Sequence, residues 1–237
     1  MDNSLKDDTY DDLMNSQAWQ DKLADLNETI ADSLRRQDEP VRMNGNLFYR
    51  HKQVDFFTHP FVPDFEPKRR NFLALARRST RLFEVGVNGG HSLLLALMAN
   101  PDLHCVGVDV CAQLDPRWAR VDIYVPAAFA WLERHFPGRV EVIRGNSLVV
   151  APQYALDHPD AGIDFLHLDG AKDTHLREVL ALRDAMRPGA FVVHDDSNAR
   201  PVRRSDRQLR RIGITETFDP DEAGLIENRW HTVRRLV

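Results

Sequence analysis

Short apolar runs and longer amphipathic stretches alternate along most of this chain. Residues 82–85, 104–109, 140–144, 163–169 and 190–194 are runs rich in Val, Ile, Leu and Phe. Runs of this length read as strands buried on both faces of a parallel sheet. Between them, Ser92 to about Asn100, Pro126 to Phe136 and Thr174 to Met186 read as helices, and 148–159 as helix or irregular structure. Pro126 suits the first turn of its helix. Arg187-Pro188-Gly189 is expected to stop the helix before it. Lys68 to Arg78 reads as a helix leading into the first strand, 111–125 as a loop and 203–211 as a basic helix. The chain closes on two strands, 212–218 and 230–236, expected to be antiparallel to each other. This alternation predicts an α/β fold with a doubly wound, seven-stranded, mostly parallel sheet.

The first 70 residues stand apart, so the expected division is 1–70 and 71–237. Trp19, Leu23, Leu26, Ile30 and Leu34 recur at helical spacing and share one face of a helix that starts near Ser16 and ends before Pro40. That face either packs on its own domain or serves a homodimer or a site cover. The first dozen residues are expected to be disordered. Residues 41–62 mix Met43, Phe48, Tyr49, Phe56, Phe57 and Phe61 with Pro, His and Arg, without periodicity. They read as a lid over a site or as a connector tucked against the core.

Composition narrows the class. With 237 residues, 43% hydrophobic and 28% charged, the chain suits one globular domain with an appendage. Eleven acids and four bases in residues 1–40 give that segment −7 of a total net charge of −5. No nucleic-acid partner is expected. No apolar run has the length of a membrane span and no signal-peptide pattern opens the chain, so the expectation is a cytoplasmic protein without a membrane partner. Cys105 and Cys111 do not form a disulfide framework, and Cys105 reads as a small buried apolar residue.

The chemistry centres on Glu84-Val85-Gly86-Val87-Asn88-Gly89-Gly90-His91-Ser92. A strand, a glycine turn and a helix N-terminus in succession build nucleotide-type pockets at the carboxyl end of a parallel sheet. The dinucleotide pattern G-x-G-x-x-G fails, because Asn88 and His91 stand where glycines are needed. The pattern Glu84-x-Gly86-x-x-x-Gly90 resembles the first motif of class I S-adenosylmethionine (SAM) dependent methyltransferases. The two terminal strands likewise resemble the antiparallel hairpin of that Rossmann-like family. The resemblance covers residues 80–237. It implies SAM binding by Glu84, Gly86, Asn88, Gly90, Ser92, Asp109, Asn146, Ser147 and Asp169. Asp109, at the end of the second strand, can accept hydrogen bonds from both ribose hydroxyls. Asn146 and Ser147, after the third, match the adenine-contacting positions.

Two acid clusters follow, Asp169-Gly170-Ala171-Lys172-Asp173 after the fourth strand and His194-Asp195-Asp196-Ser197-Asn198 after the fifth. Adjacent parallel strands would bring Asp169 and Asp195 to one rim, where carboxylates repel unless a cation or protons intervene. Oxygen donors of this kind suit Mg²⁺, with Mn²⁺ or Ca²⁺ possible. The pattern resembles metal-dependent O-methyltransferases of the catechol and caffeoyl-CoA type. That resemblance implies metal ligation by Asp169, Asp195 and Asp196, with Asp196 where Asn is usual and Asn198 as the alternative ligand. Lys172 matches the lysine that deprotonates the acceptor hydroxyl, and His194 and His175 are the alternative bases. The wording FLHLDGAKD followed by RPGAFVVHDD is similar to small bacterial sugar O-methyltransferases, among them those of mycobacterial methylmannose polysaccharides. The implied partner is a small-molecule hydroxyl acceptor, a sugar, with Arg50, His51, Asn198 and Arg200 as its polar surroundings. A phenolic or other natural-product hydroxyl is the alternative. Outside this class stand a nicotinamide-dependent oxidoreductase and a SAM-binding module without catalysis.

Overall fold

The computed structural model describes residues 8–51 and 61–237. Seven strands form one sheet: β1 (Arg81–Val85), β2 (His104–Asp109), β3 (Val140–Arg144), β4 (Ile163–Leu168), β5 (Met186–Asp195), β6 (Thr215–Glu216) and β7 (His231–Leu236). Their order is β3-β2-β1-β4-β5-β7-β6. Neighbours from β3 to β5 run parallel, and β7 pairs antiparallel with both β5 and β6. The order reverses between β1 and β4, and such a switch point leaves a crevice at the carboxyl ends of the strands. The register brings those ends level: Val85 pairs with Val108 and Leu168, Asp109 with Arg144, and Leu168 with His194. Everything one residue beyond these pairs faces the same crevice.

Eight α-helices cover the sheet among the described residues: α1 (Asp8–Asn15), α2 (Gln17–Arg35), α3 (Glu66–Ala76), α4 (His91–Ala99), α5 (Val121–His135), α6 (Ser147–Asp157), α7 (His175–Leu182) and α8 (Arg200–Arg211). Alternation along the strands feeds two cores. Leu82, Cys105, Phe165 and Val193 join α2 to α5 on one face, whereas Phe83, Val106, Leu166 and Val192 join α6 to α8 on the other. Cys105 and Cys111 are buried free thiols. No helix among the described residues is long and apolar enough to cross a membrane.

Several elements differ from the sequence reading. Asp8–Asn15 is helical, where disorder was expected. Tyr10 ties it down, because its hydroxyl accepts from Arg69 Nε at 2.7 Å. Helix α5 starts at Val121, so Pro126 lies in its second turn instead of its first. Arg187-Pro188-Gly189 does not separate helix from strand; it lies inside β5. There the register against β4 slips, from Ile163–Met186 to Phe165–Phe191, and the inserted residues form a bulge. A bulge tolerates a proline that cannot donate and a glycine with φ of 77°. The penultimate strand shrinks to Thr215–Glu216.

The apolar stripe of α2 is spent inside the chain: Trp19, Leu26, Ile30 and Leu34 are wholly buried. A polar chain joins α2 to the glycine turn, with Asn27 bonded to both Tyr49 Oη (3.1 Å) and His91 Nε2 (2.8 Å). The described part of 41–62 packs as a connector, with Phe48 against Trp19 and Phe61. Arg69 Nη1 donates to the carbonyls of Leu47 and Val62. Asn44, Gly45, Asn46, Tyr49 and His51 also line the crevice, as a lid would. The rest of the expected lid, 52–60, lies outside the described residues.

Candidate active site

The crevice is a cavity of about 840 Å³. That is large enough for a nucleoside-bearing cofactor together with a small second substrate. Of the cofactor-site residues expected from sequence, Gly86, Asn88, Asp109, Asn146, Ser147 and Asp169 line it. Glu84, Gly90 and Ser92 do not; they build the turn from behind. Glu84 is completely buried, accepting from Ser92 Oγ at 2.9 Å and lying 2.6 Å from His167 Nδ1. Burial raises the Glu84 pKa despite these bonds. For His167 burial acts to lower the pKa, but the bond and charge of Glu84 prevail and raise it. The motif's acid therefore locks β1 to β4 and to the first turn of α4.

Gly86 sits where β1 leaves the sheet, with φ of 87°. A Cβ there would lie 2.5 Å from Gly170 N and 2.6 Å from the Asp169 carbonyl carbon. Only glycine lets the two strand ends close this tightly. Asn88 is itself left-handed, with φ of 52°. Its amide donates to Gly45 O at 2.9 Å and its Oδ1 accepts from Tyr124 Oη at 2.5 Å, which pins residues 44 and 45 over the turn. Asp109 accepts from the N–H groups of Asn88 (2.9 Å) and Cys111 (2.8 Å). Burial raises its pKa, with those N–H groups acting against the shift. Each of its oxygens keeps a lone pair for a ligand hydroxyl. Asn146 caps α6 by accepting from Leu148 N at 3.0 Å, and Ser147 Oγ donates to Glu178 at 2.6 Å.

At the ends of β4 and β5 the wall changes character. Asp169, Lys172, Asp195 and Asp196 all line the cavity. Lys172 Nζ bonds to Asp169 O (3.0 Å), Asp169 Oδ1 (2.8 Å) and Asp196 Oδ2 (2.9 Å). Burial acts to lower its pKa, but Asp169, Asp196 and Asp195 outweigh it and raise the value. These contacts favour the ammonium form of Lys172, whereas a base has to be neutral. Asp196 has φ of 52°, a costly conformation for a non-glycine residue, and such strain gathers at functional sites.

The two histidines named as alternative bases are not on the cavity wall. His194 immediately precedes Asp195 in β5, so the pleat turns it to the opposite face. It stacks on His175 at 5.5 Å, and neither ring is exposed. Burial pushes their pKa values down to about 4 for His194 and about 2 for His175. Asn198, Arg50 and Arg200 also lie off the cavity lining, while His51 is on it.

Three further wall residues carry no sequence signal. Lys68, from α3, forms a buried ion pair with Asp195. Phe65 and Trp230 meet edge to face at 5.0 Å on the same side. A Lys-Arg-Arg run at the head of a helix reads as solvated charge. Only the surplus of acids at two strand ends hints that a cation must arrive from elsewhere.

The metal reading fails its fit test. Among the described residues no group of three or more His, Cys, Asp or Glu side chains is arranged to hold a metal ion. Each expected ligand is already engaged by an ammonium group, Asp195 by Lys68 and both Asp169 and Asp196 by Lys172. A divalent ion 4 Å from one such group would be repelled by about 8 kcal/mol at an effective dielectric of about 20.

Sheet order, switch-point crevice and strand-end residues together define a Rossmann-like methyltransferase fold. Residues 83–197, a little under half of the chain, match the family model described as "Methyltransferase domain". Among solved structures, the O-methyltransferase from Bacillus cereus in complex with SAH is 14% identical, with 90% of each chain covered and a TM-score of 0.55. The O-methyltransferase TomG from Streptomyces achromogenes, involved in tomaymycin synthesis and solved with SAM, is 21% identical over 90% of this chain and 89% of its own, also at 0.55. The SAH-bound methyltransferase PaMTH1 from Podospora anserina is 15% identical over 74% of this chain and 82% of its own, with a TM-score of 0.54. No curated protein matches the sequence.

Proposed function

We propose that this chain is a SAM-dependent O-methyltransferase acting on a hydroxyl of a small polar acceptor, a sugar or glycoside. The observation that carries the reading is the division of one cavity between two chemistries. The glycine turn, Asp109 and the N-terminus of α6 make a nucleoside half. Asp169, Lys172, Asp195, Asp196 and Lys68 make a charged half beside it. The cofactor fits the first half. Gly86 leaves room where a Cβ would not, Asp109 accepts ribose hydroxyls, and Asn146 and Ser147 border the adenine. SAM supplies an electrophilic methyl group on a sulfonium, which needs no activation.

The chain's own residues then deal with the acceptor. The wall around Phe65 and Trp230 offers an aromatic face, and Asn44, Asn46 and His51 offer hydrogen bonds. Aromatic surface plus many polar groups suits a sugar ring, with its apolar face and hydroxyl rim. Asp196 Oδ2 is fixed by Lys172, and its side chain is 45% exposed. Asp196 takes the hydroxyl proton as the oxygen–methyl bond forms and the carbon–sulfur bond breaks. Lys172 orients that carboxylate and balances its charge. The aromatic pair also favours a second reading, a flat phenolic acceptor.

Incubation with methyl-labelled SAM and a panel of glycosides and catechols separates these readings. Label in a glycoside is the expected result. Label only in catechols would move the acceptor to the phenols. SAH binding with no transfer to any hydroxyl would leave a SAM-binding module.

A further inference from the structure

We propose that Lys68 takes the place a divalent cation would hold: its ammonium group, seated on Asp195, meets the acceptor oxygen, and transfer runs without metal. This rests on reading the cavity as a site of methyl transfer. Lys68 and Asp195 lie 127 residues apart, on α3 and at the end of β5. Their side chains are only 7% and 1% exposed, yet both residues line the cavity. An ion pair this buried needs its charges matched, and here they match each other. Lys68 has three N–H groups and Asp195 takes one, so further donors remain for a ligand at the wall.

Asp195 supports the assignment from its other side. Its Oδ1 is buried without a hydrogen-bond partner among the described residues. A buried carboxylate oxygen without a donor is costly, and a bound hydroxyl supplies one. An acceptor with adjacent hydroxyls satisfies both atoms, presenting one oxygen to Lys68 and donating a second hydroxyl to Asp195. The ammonium stabilises negative charge on the reacting oxygen as its proton leaves for Asp196. The oxygen–methyl bond forms, the carbon–sulfur bond breaks, and SAH departs neutral at sulfur. Lys172 cannot do this work, because its N–H groups are already directed at Asp169 and Asp196.

The test is a Mn²⁺ titration of the SAH-loaded protein, followed by the electron spin resonance of free Mn²⁺. The wild type is expected to leave the free-ion signal unchanged, and its turnover to be equal in excess EDTA and in added Mg²⁺. Lys68→Gln, checked for folding by its SAH affinity, vacates Asp195. It is expected to lose turnover by ~10²-fold, as when a charge-stabilising donor is removed, with its SAH affinity kept. One Mn²⁺ bound by the wild type beside SAH, or turnover abolished by EDTA, would overturn this proposal and leave the methyl-transfer reading standing. Absence of SAH binding by the wild type would overturn that reading, and this one with it.

Discussion

The two halves of the cavity are built by opposite means. At the ends of β1, β2 and β3 the ligand surface is mostly backbone, shaped by Gly86, by the left-handed Asn88 and by N–H groups that Asp109 gathers from residues 88 and 111. Charge is sparse there, and the polar groups are held by neutral partners such as Gly45 O and Tyr124 Oη on Asn88. At the ends of β4 and β5 the surface is side chain. Three carboxylates face two ammonium groups, and one of those arrives from a helix 127 residues away in sequence. The first half holds a shape common to many nucleoside cofactors. The second holds a charge pattern that only a particular acceptor and reaction would need. If the proposed function holds, binding and transfer fall to different halves of one cavity, and substitutions should separate them.

The largest effect on cofactor binding is expected at Gly86. In Gly86→Ala the new methyl group meets the Gly170 backbone, which has no slack. Strain of about 3 kcal/mol corresponds to roughly 100-fold weaker SAH binding, read by calorimetry. Unchanged affinity would mean that the turn does not shape the cofactor site. Next come Asp196→Asn and Asp109→Asn, compared as a pair. Asp196→Asn should lower kcat by ~10²–10⁴ while leaving the KM for SAM in place, because a proton acceptor is lost. Asp109→Asn should raise that KM with a much smaller change in kcat. If both variants changed the same parameter, the two halves would be one.

The smallest effect on turnover separates the cavity wall from the core behind it. His175 and His194 are buried neutral, with pKa values held down to about 2 and about 4. Below about pH 6.5 the unfolded chain protonates these imidazoles and the folded chain does not. Stability therefore falls as pH drops from 6.5 towards 4, by ~1.4 kcal/mol per pH unit for each ring well inside that window. Denaturant unfolding at pH 7 and pH 5 reads the slope. His194→Gln should lessen it by one ring's share while kcat stays within about threefold, a difference below 1 kcal/mol. A collapse of kcat with intact folding would return His194 to the reaction.

What was legible in the sequence follows from the range of the interactions. The inner strands β1, β2 and β4 stood out because burial on both faces makes them largely apolar, and the edge strand β3 showed more weakly, by its Val and Ile positions. The bulge in β5 was hidden, since Pro188 and Gly189 break a helix and seat a bulge equally well. Gly86, Asp109 and Asn146 were readable because each stands in a short motif or turn directly after a strand, even though Gly86 owes its lack of a side chain to Gly170 across the sheet. Glu84 was found by its motif, but its role as a lock depends on His167 across the sheet, and no spacing reveals that. The acids at 169, 195 and 196 were visible as a demand for positive charge. Lys172, three residues after Asp169, answers part of that demand locally, but that Lys68 answers the rest depends on tertiary packing of α3, which one sequence does not display.

The central claim is that this crevice is a SAM site with its catalytic wall alongside. Calorimetric titration of the wild-type protein with SAH, and separately with NAD, tests it most directly. The account predicts one SAH site per chain, weakened in Gly86→Ala and retained in Asp196→Asn, and no heat from NAD. NAD binding without SAH binding would contradict it and return the fold to nicotinamide chemistry.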